Sequence, residues 1–231
     1  MSKLKALVTD LFFDLDHTLW DFETNSYLTF KKVFLEREVA VDLDQFVMQY
    51  KPINHAYWKL YRENKISKER LRYQRLAETF QKLNFSIGES QINEIAVAYI
   101  DHLSSFTHLF EGALEVLNKL SLHYKLHVIT NGFEKVQHYK IKNSGLAPFF
   151  DFIFTAEGVG VKKPYPQIFK TALEQTKTNP EKALMIGDSL EADILGALNQ
   201  GMHAIHFNSH DEALHTHCPI INSLEELTKL L

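Results

Sequence analysis

Length, composition and charge narrow the classes of protein to which the chain can belong. It has 231 residues, of which 45% are hydrophobic and 23% charged, as in an ordinary globular protein. Its formal net charge of −4 provides no basic surface for a nucleic acid polymer or an anionic membrane. The single cysteine, Cys218, excludes an internal disulfide and is typical of a reducing compartment.

The N-terminal segment predicts neither a secretion signal nor a membrane anchor. Asp10 interrupts the first apolar run, which is too short for the apolar region of a signal peptide. No stretch approaches the roughly twenty apolar residues that a membrane-spanning helix needs. We therefore expect a soluble, cytoplasmic protein without a membrane partner, either a monomer or a small homo-oligomer.

A buried strand is predicted at residues 11–13, which run directly into Asp14 and Asp16. An apolar run bounded by polar residues suits a strand that is covered on both faces of a parallel sheet. Side chains two residues apart on an extended backbone point the same way, so the two carboxylates are expected to share one small space. Taken alone, this pattern fits a solvated acidic turn equally well.

Residues 20–106 predict a small all-helical module. Apolar residues recur at steps of three and four in four segments, residues 25–37, 43–64, 68–83 and 89–103. Ser67 is expected to cap the third helix, and Ser86 is expected to be a cap or turn residue before the fourth. Aromatic side chains such as Tyr50 and Trp58 fit either the core of this module or a platform for a nucleobase. The core is the commoner role for aromatic residues at helical spacing.

The rest of the chain alternates between predicted helices and strands. Helices are expected at residues 111–122, 133–144, 166–176, 190–200 and 224–231, and strands at 125–129, 150–155, 183–186 and 203–207. This alternation predicts an α/β fold, a Rossmann-like three-layer α/β/α core with a parallel sheet. The core would comprise residues 1–19 and 107–231, with residues 20–106 as an inserted helical cap domain. Because the insert follows the first acidic loop directly, we expect it to cover that loop.

Polar residues follow four of the predicted strands, at the edge where ligands bind in open α/β sheets. They are Asp14, Asp16, Thr130, Asn131, Lys163 and Asp188. Four separate loops that bring carboxylates, a hydroxyl and an ammonium to one edge are much harder to obtain by chance than a single motif. The strand ends therefore predict an active site and disfavour the solvated turn.

Phosphoryl transfer through an aspartyl-phosphate is the chemistry that needs this set. Asp14 would be the nucleophile. Asp16 would protonate the leaving oxygen and then take a proton from the water that hydrolyses the intermediate. Carboxylate and carbonyl oxygens are preferred ligands of Mg²⁺, and Asp14, Asp188 and the backbone carbonyl of Asp16 could supply them.

The remaining candidates would bind the phosphoryl group. Lys163 would supply a positive charge, and Thr130 with Asn131 would supply hydrogen bonds. Lys162 competes with Lys163 for this role, and we expect Lys162 to be solvated. Asp193 would either orient the residues that bind the metal without binding it itself, or be an acidic residue that is favourable near a helix N-terminus.

These motifs resemble those of a known family. The four segments are Asp14-Leu-Asp-His-Thr18, the apolar strand ending in Thr130, Lys163-Pro164, and Gly187-Asp188-Ser189 with Asp193. In this order they resemble the four motifs of the haloacid-dehalogenase-like hydrolases, and the helical insert lies where that superfamily's first type of cap belongs. The resemblance implies a Mg²⁺-dependent phosphatase. His17 departs from the pattern, since the family usually has glycine or another small or acidic residue there.

A narrower resemblance concerns the substrate. Residues 129–133, residues 158–161 with Lys163-Pro164, and residues 192–196 are similar to the pyrimidine 5′-nucleotidase branch. That resemblance implies a nucleoside 5′-monophosphate as the small phosphorylated substrate.

Other functions fit parts of the pattern. The same chemistry could act on a sugar phosphate or phosphoglycolate, and a phosphomutase would need a bound bisphosphate. A 2-haloacid dehalogenase uses the nucleophile alone, so Asp16 argues against that activity. A non-catalytic binding module of this fold would be expected to have lost at least one of Asp14, Asp16, Lys163 and Asp188, and all four are present.

Overall fold

The structure is a computed structural model that describes residues 4–231. The chain forms two compact units. One comprises the described residues up to Phe22 together with Thr107–Leu231, and the other is Glu23–Phe106. The predicted core begins at residue 1, and its first three residues lie outside the described part of the chain.

Four helices make up the second unit. They are α1 (Phe22–Glu36), α2 (Leu43–Arg62), α3 (Lys68–Lys82) and α4 (Glu89–Leu103). Ser67 caps α3 as predicted, because its side chain accepts a hydrogen bond from the N–H of Arg70 at 3.2 Å. Ser86 was predicted to be a cap or a turn residue before α4. The capping residue there is Gly88, and Ser86 lies in the irregular segment that precedes it.

Aromatic rings fill the core of this helical unit. The ring centre of Phe30 lies 4.7 Å from that of Tyr50 and 4.4 Å from that of Tyr99. Tyr50 is only 2% exposed, so its ring belongs to this core. Among residues 4–231, no helix combines the length and the apolar character that crossing a membrane requires.

The first unit contains a six-stranded parallel sheet in the order β3-β2-β1-β4-β5-β6. The strands are β1 (Asp10–Phe13), β2 (Lys125–Thr130), β3 (Phe152–Thr155), β4 (Ala183–Gly187), β5 (His203–Phe207) and β6 (Ile220–Ile221). From β1 the strands β2 and β3 are added on one side, and β4, β5 and β6 are added on the other, so the strand order reverses between β1 and β4. Such a switch point opens a crevice at the carboxyl ends of the strands. The predicted Rossmann-like α/β fold is confirmed.

Six α-helices accompany this sheet in the described residues. They are α5 (Ala113–Leu120), α6 (Glu134–Asn143), α7 (Ala156–Val159), α8 (Pro166–Thr176), α9 (Gly196–Leu198) and α10 (Leu227–Leu230). The predicted helices at 111–122, 133–144 and 166–176 are present with ends within two residues. The strand β6 and the helix α7 were not predicted, since elements of two and four residues are too short to show a period.

The predicted helix over residues 190–200 is present over residues 190–198, but its first part is not an α-helix. Leu190–Leu195 is a π-helix, and only Gly196–Leu198 continues as α-helix. The N–H of Ile194 bonds to the carbonyl of Ser189, five residues earlier, at 3.2 Å. Such π-helical turns are frequent at functional sites. Asp193 lies in this turn and is only 1% exposed.

The first strand begins one residue earlier than predicted. Asp10 belongs to β1 although it is a buried carboxylate. Its Oδ1 lies 3.0 Å from Nε2 of His127 on the neighbouring β2, and its Oδ2 accepts a hydrogen bond from the Thr9 hydroxyl at 2.6 Å. These partners make burial of the carboxylate tolerable. Thr9 is adjacent in the sequence, whereas His127 lies 117 residues away.

Candidate active site

The loop after β1 carries the first two candidate residues. The N–H of Asp14 donates to the carbonyl of Ile186 on β4 at 2.9 Å, which extends the pairing of β1 with β4 by one residue. The chain then closes a tight turn in which the N–H of Trp20 bonds to the carbonyl of Leu15 at 2.9 Å. His17 in this turn has a φ of 64°, in the left-handed region that glycine adopts most easily.

Lys163 is the buried cation of the site. Its Nζ lies 2.6 Å from Oδ1 of Asp14, 2.5 Å from the carbonyl oxygen of Ile129 and 2.8 Å from Oδ1 of Asp193. The Asp14 carboxylate and the Ile129 carbonyl accept hydrogen bonds from the ammonium, and the Asp193 carboxylate forms an ion pair with it. Burial acts to lower the pKa of Lys163, but the charges of Asp14 and Asp193 outweigh it and raise the pKa above its ordinary value. The side chain therefore stays charged.

The Asn131 side chain holds the backbone of Lys163. Its Oδ1 accepts a hydrogen bond from the N–H of Lys163 at 2.7 Å, and its Nδ2 donates to the carbonyl of Lys163 at 2.9 Å. This pair joins the loop after β2 to the loop that follows α7. The contact places the Lys163 side chain toward the end of β1.

Three buried carboxylates lie together at the carboxyl ends of β1 and β4. One oxygen from each of Asp14, Asp188 and Asp193 lies within 4.8 Å of the other two. Asp188 accepts from the Thr18 hydroxyl at 3.3 Å and lies 3.2 Å from Nε2 of His210. The sequence predicted Asp14 and Asp188 as metal ligands, and the structure adds the Asp193 carboxylate to the same cluster.

Two local features hold Asp193 at this place. Its Oδ2 accepts a hydrogen bond from the N–H of Ser189 at 3.0 Å. Gly187 leaves space for the carboxylate, since a Cβ at that position would overlap the Asp193 side chain. The π-helical turn and this glycine therefore direct Asp193 onto Lys163.

The carboxylate cluster is short of positive charge. Burial raises the pKa of Asp14 well above its usual range, and Lys163 only partly opposes this effect. Burial likewise raises the pKa of Asp193. At Asp188, burial acts to raise the pKa, but the hydrogen bond from His210 and nearby positive charge outweigh it, so this pKa is lowered. A divalent cation would relieve the remaining repulsion, and carboxylate oxygens are ligands that suit Mg²⁺.

Asp16 lies outside this carboxylate cluster. Its Oδ1 is 2.5 Å from Nζ of Lys140, and its Oδ2 accepts from Nε2 of Gln137 at 2.9 Å. The Asp16 side chain stays 20% exposed, whereas that of Lys140 is only 2% exposed. The carboxylate of Asp16 is thus held from one side and open on the other.

Thr130 ends β2 and contacts Gln137 on α6, the helix that also carries Lys140. Its Oγ1 accepts hydrogen bonds from Nε2 of Gln137 at 2.7 Å and from the N–H of Gly132 at 3.2 Å. Because the oxygen accepts both bonds, its own hydrogen remains available to a third group.

Gln137 and Lys140 were not predicted from the sequence. On α6 the apolar residues Val136 and Ile141 define the buried face, and Gln137 and Lys140 occupy the same face. Both polar side chains are nearly inaccessible, at 1% and 2% exposed. Polar residues at positions of an apolar stripe were a signal present in the sequence, but only the partners show what they do.

Comparisons with known proteins identify the family of the chain. A family model described as haloacid dehalogenase-like hydrolase matches residues 11–207. The pyrimidine 5′-nucleotidase YjjG of Escherichia coli (strain K12) is 33% identical over 230 residues, which cover 96% of each chain. A glyceraldehyde 3-phosphate phosphatase of Methanothermobacter thermautotrophicus is 36% identical over 203 residues, covering 86% of this chain and 85% of the relative.

A solved structure is similar over nearly the whole chain. The HAD-hydrolase YfnB of Bacillus subtilis, in a crystal structure bound to magnesium, has a TM-score of 0.87 and 28% sequence identity. The match covers 97% of this chain and 98% of YfnB. The family match, the relatives and the strand-end residues point to one conclusion. The chain belongs to the haloacid dehalogenase-like hydrolase family and is a phosphatase of that family.

Proposed function

We propose that this protein is a Mg²⁺-dependent phosphomonoester hydrolase that works through an aspartyl-phosphate and prefers pyrimidine nucleoside 5′-monophosphates. The observation that carries the proposal is the contact of 2.6 Å between Nζ of Lys163 and Oδ1 of Asp14, beside the carboxylates of Asp188 and Asp193. A buried nucleophile, a fixed cation and an acidic cluster are what phosphoryl transfer requires.

Asp14 is the nucleophile in this proposal. One of its carboxylate oxygens attacks phosphorus, the bond from phosphorus to the ester oxygen breaks, and the phosphoryl group is transferred to Asp14. Lys163 offsets the negative charge of the phosphoryl oxygens. The Thr130 hydroxyl donates to another of these oxygens, and Asn131 keeps Lys163 in place. A direct contact of Asn131 with the phosphoryl group remains a prediction.

Asp16 is the acid and the base of the two steps. In the first step its carboxyl proton goes to the ester oxygen as that oxygen leaves, so the product is an alcohol. In the second step the Asp16 carboxylate takes a proton from the water that attacks phosphorus. The bond from phosphorus to Asp14 then breaks, which releases phosphate, frees the Asp14 carboxylate and leaves Asp16 protonated for the next cycle.

The residues present fit a magnesium ion. Asp14 and Asp188 would bind it with their carboxylates, Asp16 would bind it with its main-chain carbonyl, and Asp193 would hold Lys163 beside it. When bound, Mg²⁺ supplies positive charge that neutralises the carboxylates and the phosphoryl oxygens. The three buried carboxylates are the observation that supports this assignment: Lys163 contacts Asp14 and Asp193, and His210 lies beside Asp188.

The nucleotide preference rests on the relative YjjG, which matches 96% of each chain, and on the motif similarity of residues 129–133, 158–161 and 192–196. A second candidate substrate is a small phosphorylated aldehyde, because the archaeal glyceraldehyde 3-phosphate phosphatase is 36% identical over 203 residues. The two candidates share the chemistry and differ in the leaving alcohol.

A phosphate-release screen tests the proposal. The purified protein would be assayed with uridine, thymidine and cytidine 5′-monophosphates, their purine counterparts, glyceraldehyde 3-phosphate and phosphoglycolate, with Mg²⁺ or with EDTA. We expect Mg²⁺-dependent turnover and the highest kcat/KM on a pyrimidine nucleotide. Highest kcat/KM on glyceraldehyde 3-phosphate would refute the nucleotidase assignment, and no turnover of any ester would refute the phosphatase mechanism.

A further inference from the structure

We propose that Gln137 and Lys140 are positioning residues that fix the Asp16 carboxylate, and that Gln137 also orients the Thr130 hydroxyl. This inference rests on the proposed function, because it concerns how the acid of that reaction is held. Both residues lie on α6, outside the four sequence motifs. Their side chains reach across 121 and 124 positions of the chain to the same carboxylate.

Lys140 is held by groups other than its carboxylate partner. Its Nζ lies 4.1 Å from the ring centre of Trp20 and 5.4 Å from that of Phe22. An ammonium over an aromatic face is attracted to the negative charge of the ring. Lys140 is only 2% exposed, and its Nζ lies 2.5 Å from Oδ1 of Asp16, so the buried ammonium holds this oxygen in place.

The amide nitrogen of Gln137 faces Asp16. It donates a hydrogen bond to Oδ2 of Asp16 at 2.9 Å, which is the polarity that a carboxylate requires because a carboxylate can only accept. The same nitrogen lies 2.7 Å from Oγ1 of Thr130, and its second N–H points there. Both hydrogens of one amide are therefore used to connect Asp16 with Thr130.

This arrangement also determines what Thr130 can do. Its Oγ1 already accepts hydrogen bonds from Gln137 and from Gly132. The Thr130 hydrogen is therefore directed away from both donors and is free to donate to a phosphoryl oxygen. Gln137 thus sets the donor direction of Thr130 and the position of Asp16 together.

Gly132 provides the space for this amide. A Cβ built on Gly132 would overlap the Gln137 side chain, which is only 1% exposed and has little room to move. Gly132→Ala should therefore displace Gln137 while leaving every polar group of the site in the chain. This substitution perturbs the same contact without removing Gln137.

The test compares esters that differ in their need for an acid. For p-nitrophenyl phosphate the leaving phenolate is stable without a proton, whereas an alkyl ester needs proton transfer to its oxygen. We would measure kcat/KM for p-nitrophenyl phosphate and for the best alkyl ester of the wild type. Lys140→Met and Gln137→Met should each lower kcat/KM on the alkyl ester about 10²-fold and change the aryl ester less than about 5-fold.

A double-mutant cycle with Asp16 tests whether Lys140 affects catalysis through Asp16. Asp16→Asn removes the acid itself and sets the largest ratio between the two esters. In that background Lys140→Met should lower kcat/KM on the alkyl ester by less than about 2-fold, because a residue that acts through Asp16 has nothing left to position. A second loss near 10²-fold would show an independent role and overturn the proposal.

Matched controls separate positioning from general effects. Lys142→Met removes a charge from the exposed face of the same helix and should leave both esters unchanged. Lys140→Arg should recover most of the alkyl-ester activity, since it restores a donor to Oδ1 of Asp16. Melting temperatures show whether each variant is folded. If Lys140→Met or Gln137→Met does not fold, the two esters can still be compared with Gly132→Ala and Lys140→Arg.

The outcomes decide between this proposal and the proposed function. Absence of turnover in the wild type would refute the phosphatase mechanism and leave no alkyl ester to compare. With an active wild type, equal losses on both esters, or no loss on either, would overturn the positioning role alone. An increase of more than about tenfold in the Mg²⁺ concentration for half-activation would place both residues in cation binding and would also overturn it.

Discussion

The side chain of Asn131 and the backbone of Lys163 are paired by two hydrogen bonds, of 2.7 Å and 2.9 Å. This contact is not part of the regular hydrogen bonding of a helix or a sheet. It joins two loops that are 32 residues apart in the chain. It connects the end of β2 with the cation that touches Asp14. The position of that cation therefore depends on a neutral amide.

Asn131→Ala should weaken this placement. Loss of two hydrogen bonds, each worth about 1 kcal/mol net, should lower the free energy of unfolding by about 1–3 kcal/mol. Activity should fall about tenfold or more, because displacement of a charge by 1 Å is costly in catalysis. Urea unfolding and phosphate-release assays would measure both, with Asn143→Ala on the surface of α6 as the control. Unchanged kcat/KM would argue against a role for Asn131.

Lys163→Met should make the folded state depend on magnesium. The variant leaves the carboxylates of Asp14 and Asp193 buried without their cation, so we expect a lower melting temperature in EDTA. Mg²⁺ should raise that temperature more in the variant than in the wild type, because a bound cation replaces part of the lost charge. Activity should fall at least about 10²-fold. Lys162→Met is the control, and an equal response to Mg²⁺ in both proteins would contradict the prediction.

Asp14→Asn should abolish turnover while preserving the fold. The amide cannot form the aspartyl-phosphate, so phosphate release should fall at least about 10³-fold. The substitution also removes a buried charge that repels Asp188 and Asp193, so the melting temperature in EDTA should not fall by more than a few degrees. Phosphate release and thermal unfolding measure the two effects. Substantial residual activity would mean that Asp14 is not the nucleophile.

Gly187→Ala should disturb the site through Asp193. The added Cβ overlaps the Asp193 carboxylate, which is 1% exposed. We expect a loss of about 1–3 kcal/mol of unfolding free energy, as for other overpacked cores, and at least a tenfold loss of activity as Lys163 loses a partner. Gly88→Ala is the control, since nothing lies within 4 Å of a Cβ there. Retention of activity would show that Lys163 does not need Asp193.

The pair formed by His127 and Asp10 predicts a pH dependence of stability. Burial lowers the pKa of His127 below its ordinary 6.5, although Asp10 opposes the effect. Below about pH 6.5, His127 binds a proton in the unfolded state but stays neutral in the folded state. The free energy of unfolding therefore decreases as the pH falls below this value. The slope contributed by one proton approaches about 1.4 kcal/mol per pH unit.

His127→Gln isolates this contribution from that of the other histidines. The glutamine side chain can still donate to Asp10 but does not titrate. Urea unfolding at pH 7.5, 6.5 and 5.5 should show a shallower decline for the variant than for the wild type. Parallel curves would mean that His127 is protonated equally in the folded and unfolded states.

Local patterns were sufficient for most of the architecture. Helical spacing located α2, α3 and α8 within two residues, and buried apolar runs located β1, β2, β4 and β5, because an element that buries one face repeats its apolar residues at its own period. Parallel strands place their carboxyl ends at one edge, so Asp14, Thr130 and Asp188 could be assigned to one site from the order of elements alone.

The sequence by itself determined the fold class, the family and the edge of the sheet where the reactive groups lie. Only the tertiary structure decided which of these groups touch: Lys163 with Asp14 and Asp193, and Asp16 with Gln137 and Lys140. The physical reason is that a period reports which face of an element is buried. It does not report which side chain, more than a hundred residues away, meets a polar residue there. The sequence therefore predicts Asp16 as the acid, whereas only the folded chain identifies Gln137 and Lys140 as the side chains that hold it.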